Sequence, residues 1–212
     1  MKSFLLIDDH EILRSGVKNI LLATFNPCEI HEAYDGKSAI IELKQRKYQL
    51  VIMDVQMPDT DSLGIMEFIR INSPGTNVLI FSMSPESAYA KRFLKAGAMG
   101  FVSKDAGITE LKKAIDQVIH NRRYLSPALQ EQFINELGSP VNVNPFDKLS
   151  TREFEIASLL ISGSSSKEIS KILSLQNSTT ATYKARIFEK LQIKNILELS
   201  ELSRIFNTSG AS

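Results

Sequence analysis

A single cysteine, Cys28, among 212 residues leaves no partner for an internal disulfide. This excludes the disulfide-stapled secreted class and points to a reducing cytoplasm. Long apolar runs are missing too. No stretch approaches the roughly 18 apolar residues of a spanning helix, and the N-terminal run Phe4-Leu5-Leu6-Ile7 is interrupted by Asp8 and Asp9, so no membrane partner is expected. An excess of charge is equally absent: 25 Lys and Arg face 24 Asp and Glu. Taken alone, that balance argues against a nucleic-acid binder and against an acidic tail. What is present is ordinary: 43% apolar and 23% charged residues exclude a disordered or collagen-like chain. The length suits two compact domains.

The charge balance is an average over unlike parts. Residues 1–120 carry 14 basic and 15 acidic groups, residues 121–148 three of each, and residues 149–212 eight basic against six acidic. Only the C-terminal part is basic, and weakly.

From Ser3 to His120, apolar strand-like runs alternate with helical patterns. The runs are Phe4–Ile7, Glu29–Ala33, Leu50–Met53, Val78–Phe81 and Gly100–Ser103. Between them, apolar residues recur three or four apart, as in Ile12, Leu13, Val17, Ile20 and Leu21, or Ile108, Leu111, Ile115, Val118 and Ile119. The order is (βα)5, an α/β fold. Four runs are nearly continuous in hydrophobicity, as in parallel strands covered on both faces; the second is more polar and fits nearer an edge. From Tyr124 to Asp147 the pattern loosens, with a helix expected from Ser126-Pro127 to about Gly138 and a linker around Ser139-Pro140, Asn142, Asn144 and Pro145. Leu149 to Phe206 reads as four short helices without a strand signal, divided at Ser162-Gly163-Ser164, Ser174–Asn177 and Gln192–Asn195. The expected division is therefore 1–120 as an α/β domain, 121–148 as linker with a helix, 149–207 as a small all-α domain, and a frayed tail at 208–212.

In open α/β sheets, ligands bind beyond the carboxyl ends of the strands. Here the first strand runs into Asp8 and Asp9, the third into Asp54, the fourth into Ser82 and the fifth into Lys104. Each alone is read as a turn, cap or solvated residue. Together, three carboxylates, a hydroxyl and an ammonium at neighbouring strand ends form a site. Carboxylate oxygens suit a hard cation such as Mg²⁺, and the ammonium would face an anion that the metal also neutralises, as a phosphoryl group on a carboxylate requires.

These residues resemble the receiver domain of bacterial two-component response regulators over about residues 2–120. The resemblance rests on Leu6-Ile7-Asp8-Asp9-His10, Met53-Asp54-Val55-Gln56-Met57-Pro58, Ser82-Met83-Ser84, Ala96-Gly97-Ala98 and Gly100–Asp105. It implies a flavodoxin-like fold in which Asp54 accepts phosphate from a phosphohistidine on a sensor histidine kinase. It also implies that Asp9, Asp54 and the backbone carbonyl of Gln56 bind Mg²⁺, with Asp8 helping directly or through water. Ser82 would hydrogen-bond the phosphoryl oxygen and Lys104 would pair with it. Phe101 matches an aromatic switch position that turns inward when Ser82 moves; from the sequence itself it is an apolar strand residue, and core packing stands beside the switch role. Ser62 departs from the glycine usual after Met57-Pro58. A phosphatase with an aspartyl-phosphate intermediate would resemble its kind in placing a second aspartate two residues after the nucleophile. That position holds Gln56, so the chain is not read as an enzyme, and a phosphorylated Asp54 should hydrolyse slowly.

In the helical part, Ser150 and Glu153 form a capping-box pattern. Lys167–Leu173, a turn through Ser174–Asn177 and a helix from about Ser178 have helix-turn-helix spacing. On the second helix Thr180, Tyr183, Ile187, Phe188 and Leu191 share one face. Ser178, Thr182, Ala185 and Glu189 share the opposite one, flanked by Ala181, Lys184 and Arg186. A plain helical packing unit has the same periodicity. Residues 149–206 are similar to the LuxR-type helix-turn-helix that terminates NarL/FixJ response regulators, through Leu149–Glu153, Gly163, Lys167-Glu168-Ile169, Thr179, Lys190-Leu191 and Lys194-Asn195. Departures are Thr180 for valine, Ala181 for lysine and Tyr183 for histidine.

That likeness implies contacts to double-stranded DNA from Ser178, Thr179, Ala181, Thr182, Lys184, Ala185, Arg186 and Lys167, with Lys and Arg on phosphates and Ala and Thr near thymine methyls. The final helix, with Ile196, Leu197, Leu199, Leu202 and Ile205, is either bundle core or the surface of a homodimer formed in the active state. The expectation is a cytoplasmic response regulator that controls transcription. A receiver with a protein-binding helical output is the alternative, and a regulator switched without phosphate a third.

Overall fold

The computed structural model describes residues 1–57, 60–84, 86–138, 144–173 and 175–206. Two compact units divide the chain, Met1–Gln130 and Glu131–Ser212.

The first unit is a doubly wound α/β layer. Strands β1 (Lys2–Ile7), β2 (Cys28–Ala33), β3 (Leu50–Met53), β4 (Asn77–Ser82) and β5 (Gly100–Ser103) alternate with α1 (Glu11–Phe25), α2 (Gly36–Gln45), α3 (Ser62–Asn72), α4 (Glu86–Lys95) and α5 (Ile108–Ile119). They form one parallel sheet in the order β2-β1-β3-β4-β5. The polar second strand is at an edge, as its composition suggests. Strand order reverses direction between β1 and β3, so the crossovers leave opposite faces there and open a crevice at the carboxyl ends.

Period-two alternation sorts the core. Phe4, Leu6, Leu50, Ile52, Leu79, Phe81 and Val102 share one face with Val17 and Leu21 of α1 and Leu111, Ala114, Ile115 and Val118 of α5. The alternate residues Leu5, Ile7, Val51, Met53, Val78, Ile80 and Phe101 are buried on the other face, where α2 meets β2 and α4 meets β5. Each fully buried side chain of this size stabilises the unit by about 1.5–3 kcal/mol.

The stretch from 121 onward, expected as linker, begins inside this unit. Tyr124 is 1% exposed within the same core, its amide donates to the Met99 carbonyl at 2.9 Å, and it bridges β5 at Gly100. Its backbone lies so near the sheet that a Cβ on Gly100 would meet Tyr124 Cβ and Leu79 Cδ1 at 3.0 Å. Helix α6 (Pro127–Gly138) follows, opened by Ser126, whose hydroxyl accepts from the Leu129 amide at 3.1 Å.

A 3-10 turn (Pro145–Lys148) leads into α7 (Thr151–Ile161), α8 (Ser166–Ile172), α9 (Asn177–Leu191) and α10 (Ile196–Ile205). Capping boxes open α7 at Ser150 and Glu153 and α8 at Ser165 and Glu168. Gly163 takes φ +91° after α7, a left-handed position that glycine fills without Cβ strain. Phe146, Phe154, Ile156, Leu160, Ile169, Leu173, Ile187, Leu191 and Leu199 form the second core. No helix among the described residues is long and apolar enough to cross a membrane. The tail expected at 208–212 lies outside the described residues.

Candidate functional site

The carboxyl ends of β1, β3, β4 and β5 bring Asp8, Asp9, Asp54, Ser82 and Lys104 together. Parallel pairing aligns them: Ile7 pairs with Met53, Met53 with Ile80 and Ser82 with Ser103, so Asp8, Asp54 and Lys104, each one residue past its strand, lie at the same edge as Ser82, the last residue of β4. Backbone bonds continue the ladders past the strand ends, from the Asp54 amide to the Ile7 carbonyl at 2.8 Å and from the Lys104 amide to the Ser82 carbonyl at 2.9 Å.

Asp54 lies at the centre, 2% exposed. One carboxylate oxygen accepts from the Ser82 hydroxyl at 2.7 Å and from the Gln56 amide at 3.0 Å; the other accepts from Lys104 Nζ at 2.6 Å. Lys104 Nζ also lies 2.6 Å from Asp8 Oδ2. Burial works against the charged ammonium, but the Asp54 and Asp8 carboxylates outweigh it and hold the Lys104 pKa above the ordinary lysine value. Asp9 is exposed at the rim. Phe101 is fully buried on β5 beside Ile80. Ser62 is the first residue of α3; its hydroxyl donates to the Val55 carbonyl at 2.9 Å, tying the loop that carries Gln56.

Three groups join the pocket that the sequence reading left without a role. His10 Nδ1 is 3.2 Å from Asp8 Oδ1 and 2.9 Å from Asp9 Oδ1. Donor atoms of Asp8, Asp9, His10 and Asp54 lie within 4.8 Å of one another. Three carboxylates among those four donors fit a hard divalent cation that retains part of its water shell. Ser84 is 1% exposed, with its hydroxyl 3.3 Å from that of Ser82. Arg14 donates from Nη1 to the Asp8 carbonyl at 2.7 Å. His10 and Ser84 belong to the quoted motifs, so adjacency was a signal; Arg14 was detectable only as the residue one helical turn after His10.

In the second unit, α8 and α9 form the expected helix-turn-helix, closed by the Leu175 amide donating to the Ser170 carbonyl at 2.8 Å. Thr180, Ile187 and Leu191 are buried, with Tyr183 and Phe188 partly so. Ser178, Ala181, Thr182, Ala185 and Arg186 are exposed, as is Lys167 on α8; Thr179 and Lys184 are half-buried. Lys184 Nζ lies 5.6 Å from the centre of the Phe188 ring, and the Thr182 hydroxyl donates to the Ser178 carbonyl at 2.9 Å. The polar substitution Thr180 is matched inside the core by Ser170, hydroxyl to hydroxyl at 2.8 Å. Buried Glu153 accepts from Lys190 at 2.6 Å and from the Ser150 amide at 2.7 Å. Burial pushes its carboxyl up, but these partners outweigh it and leave the pKa below the ordinary glutamate value. On α10 Leu199 is buried while Leu197 and Ile205 are exposed.

Comparison with known proteins agrees with both halves. Residues 4–116 match the family described as response regulator receiver domain, and residues 147–202 match bacterial regulatory proteins, luxR family. The chain is 33% identical over 199 residues to the response regulator GacA of Pseudomonas protegens, covering 94% of this chain and 93% of that one. It is 29% identical over 204 residues to the response regulator UvrY of Escherichia coli, covering 96% and 94%. Among solved structures it resembles RcsB of Salmonella enterica serovar Typhimurium bound to promoter rprA with phosphomimetic BeF3⁻, at TM-score 0.70, 21% identity and coverage of 95% and 97%; that likeness bears on the fold. With a receiver pocket on an order 2-1-3-4-5 sheet and a helix-turn-helix later in the sequence, the chain belongs to the response regulators that join a receiver domain to a LuxR-family regulatory domain.

Proposed function

We propose that Asp54 accepts a phosphoryl group from the phosphohistidine of a sensor histidine kinase and that this switches the chain as a DNA-binding transcriptional regulator in the cytoplasm. The observation that carries the reading is Asp54 itself: a buried carboxylate held between the Ser82 hydroxyl at 2.7 Å and the Lys104 ammonium at 2.6 Å. An Asp54 oxygen attacks phosphorus as the bond to the histidine nitrogen breaks, giving an acyl phosphate. Lys104 then neutralises a phosphoryl oxygen, and Ser82 turns its hydroxyl from the carboxylate to another. Asp8, Asp9, Asp54 and the Gln56 carbonyl would hold Mg²⁺, which when bound neutralises phosphoryl charge. Gln56 supplies no carboxylate that could activate a hydrolytic water, so release of phosphate is slow and the chain acts as a regulator, not a turnover enzyme.

Movement of Ser82 alters its contact with Ser84 and the packing at Phe101, biasing the unit between two states. The output is the exposed side of α9, where Ser178, Thr179, Ala181, Thr182, Ala185 and Arg186, with Lys184 and Lys167, would meet a major groove. The exposed Leu197 and Ile205 of α10 support pairing of two copies in the active state. Intact-mass analysis after acetyl phosphate and Mg²⁺ should find one labile phosphoryl group on the wild type and none on Asp54→Asn; equal labelling of both removes the assignment. Binding to genomic DNA fragments should weaken steeply with salt, whereas salt-indifferent affinity would favour a protein partner for the helical unit.

A further inference from the structure

The Asp8 carbonyl shares a peptide plane with the Asp9 amide, because partial double-bond character keeps the six atoms of that unit coplanar. Whatever fixes the direction of the carbonyl therefore fixes the starting direction of Asp9, the exposed carboxylate at the rim of the pocket. The Asp8 residue is tied on three sides. Its amide donates to the Ala33 carbonyl at 3.1 Å, and its side chain accepts from the His10 amide at 2.9 Å and pairs with Lys104. Its carbonyl is taken by Arg14 Nη1 at 2.7 Å.

Arg14 is held from behind. Its Nε donates to Glu32 on β2 at 3.2 Å, and Glu32 also accepts from Lys18 at 2.7 Å. The hydrogen bond from Lys18 leads the causes, with Arg14 adding to it against burial, that keep the Glu32 carboxyl below the ordinary glutamate value. The Arg14 side chain is only 12% exposed. A planar guanidinium bonded at two edges has a set orientation, which a lysine ammonium on a flexible stem lacks. The chain thus runs from the edge strand through Glu32 and Arg14 to the peptide that aims Asp9.

We propose that Arg14 is a positioning residue for the divalent-cation site: it orients the Asp8–Asp9 peptide from behind and so raises the affinity of the carboxylate cluster for its ion. The proposal rests on the reading of Asp8, Asp9 and Asp54 as cation ligands. It has a sign that charge alone does not. Arg14 is a cation near a cation site, so deleting its charge should tighten metal binding if it acted only through its field. Acting through geometry, its removal must weaken binding, by about the tenfold typical of lost outer-shell partners of metal ligands.

The test uses the full chain and Mn²⁺ as the probe ion, with free Mn²⁺ read by electron paramagnetic resonance. Wild type, Arg14→Gln, Arg14→Lys and Asp9→Asn are compared at a temperature where circular dichroism shows each folded. The expected result is weaker Mn²⁺ binding in both Arg14 variants, the lysine variant included although its charge is kept. Wild-type binding that Asp9→Asn weakens but Arg14→Gln leaves unchanged or tightens would overturn the proposal and leave the cation site standing. If Arg14→Gln does not fold, unchanged affinity in Arg14→Lys overturns it equally. Absence of Mn²⁺ binding by the wild type overturns the cation site and the proposal together.

Discussion

Replacing Lys104 by methionine would keep much of the apolar stem and remove the charge that two buried carboxylates share. Its Nζ sits 2.6 Å from an oxygen of Asp8 and 2.6 Å from one of Asp54, residues 6% and 2% exposed. Removing one partner of a buried pair costs about 3–5 kcal/mol, because a desolvated charge is left behind. The Ser82 hydroxyl and the Gln56 and His10 amides still bond the two carboxylates, so the lower end, about 3 kcal/mol, is expected in metal-free buffer. A divalent cation at a hundredfold excess over its dissociation constant adds about 2.7 kcal/mol to the chain that binds it. The variant, freed of a competing ammonium, should bind Mg²⁺ more tightly and gain more from it than the wild type.

Urea unfolding followed by circular dichroism, in EDTA and in Mg²⁺, reads both effects. The raised Lys104 pKa means that the stabilisation from its charge is complete below the ordinary lysine value of 10.5 and is lost as the pH rises through the folded-state value. The gap between wild type and variant should therefore hold at neutral pH and close in alkaline solution. A metal-free variant within about 1 kcal/mol of the wild type, the size of an ordinary point mutation, would refute the reasoning. So would an equal gain from Mg²⁺ in both chains.

At the start of α4, burial holds the Glu86 carboxyl above the ordinary glutamate range, opposed by the Ser126 hydroxyl at 2.7 Å and reinforced by Glu110. A raised acid favours folding when protonated, so its contribution is present at low pH and lost as the pH rises; Glu86→Gln should raise the melting temperature near neutral pH and lose that advantage towards pH 4.5. In the helical unit, Thr180→Val alone strands the Ser170 hydroxyl from one partner and should cost about 1 kcal/mol, while Ser170→Ala with Thr180→Val should be nearly neutral, as a double-mutant cycle would show. Glu153→Gln loses the ion pair with Lys190 and should cost about 1–3 kcal/mol at neutral pH. Because the Glu153 pKa is lowered, that wild-type advantage should fade on acidification below 4.5, measured by thermal melts across pH.

The pocket was legible because its members are strand-end residues. In a parallel sheet every crossover returns the chain to the same end, so Asp8, Asp54, Ser82 and Lys104 had to share an edge once the five runs were read as parallel strands. The helix-turn-helix was legible for a similar reason: on α9 the period of 3.6 assigns Thr180, Ile187 and Leu191 to one side and Ala181, Thr182, Ala185 and Arg186 to the other. The linker was less so. Tyr124 looked like the start of a connector because nothing local marks it, and its place in the core depends on β5 lying bare enough at Gly100 to receive it.

By itself, then, the amino-acid sequence determined the order of elements, the face each side chain takes and the chemical types gathered at the strand ends. Those follow from local periodicity and from the one-sidedness of parallel crossovers. Only the tertiary structure decided which atoms meet: Lys104 between Asp8 and Asp54, Arg14 reaching from Glu32 to the Asp8 carbonyl, Ser170 against Thr180. Such contacts join residues as far apart in the chain as Asp8 and Lys104, and a shift of one hydrogen-bond length makes or breaks them. Periodicity sets a side chain's direction within a face; the distance between two faces is set only when the whole core has packed.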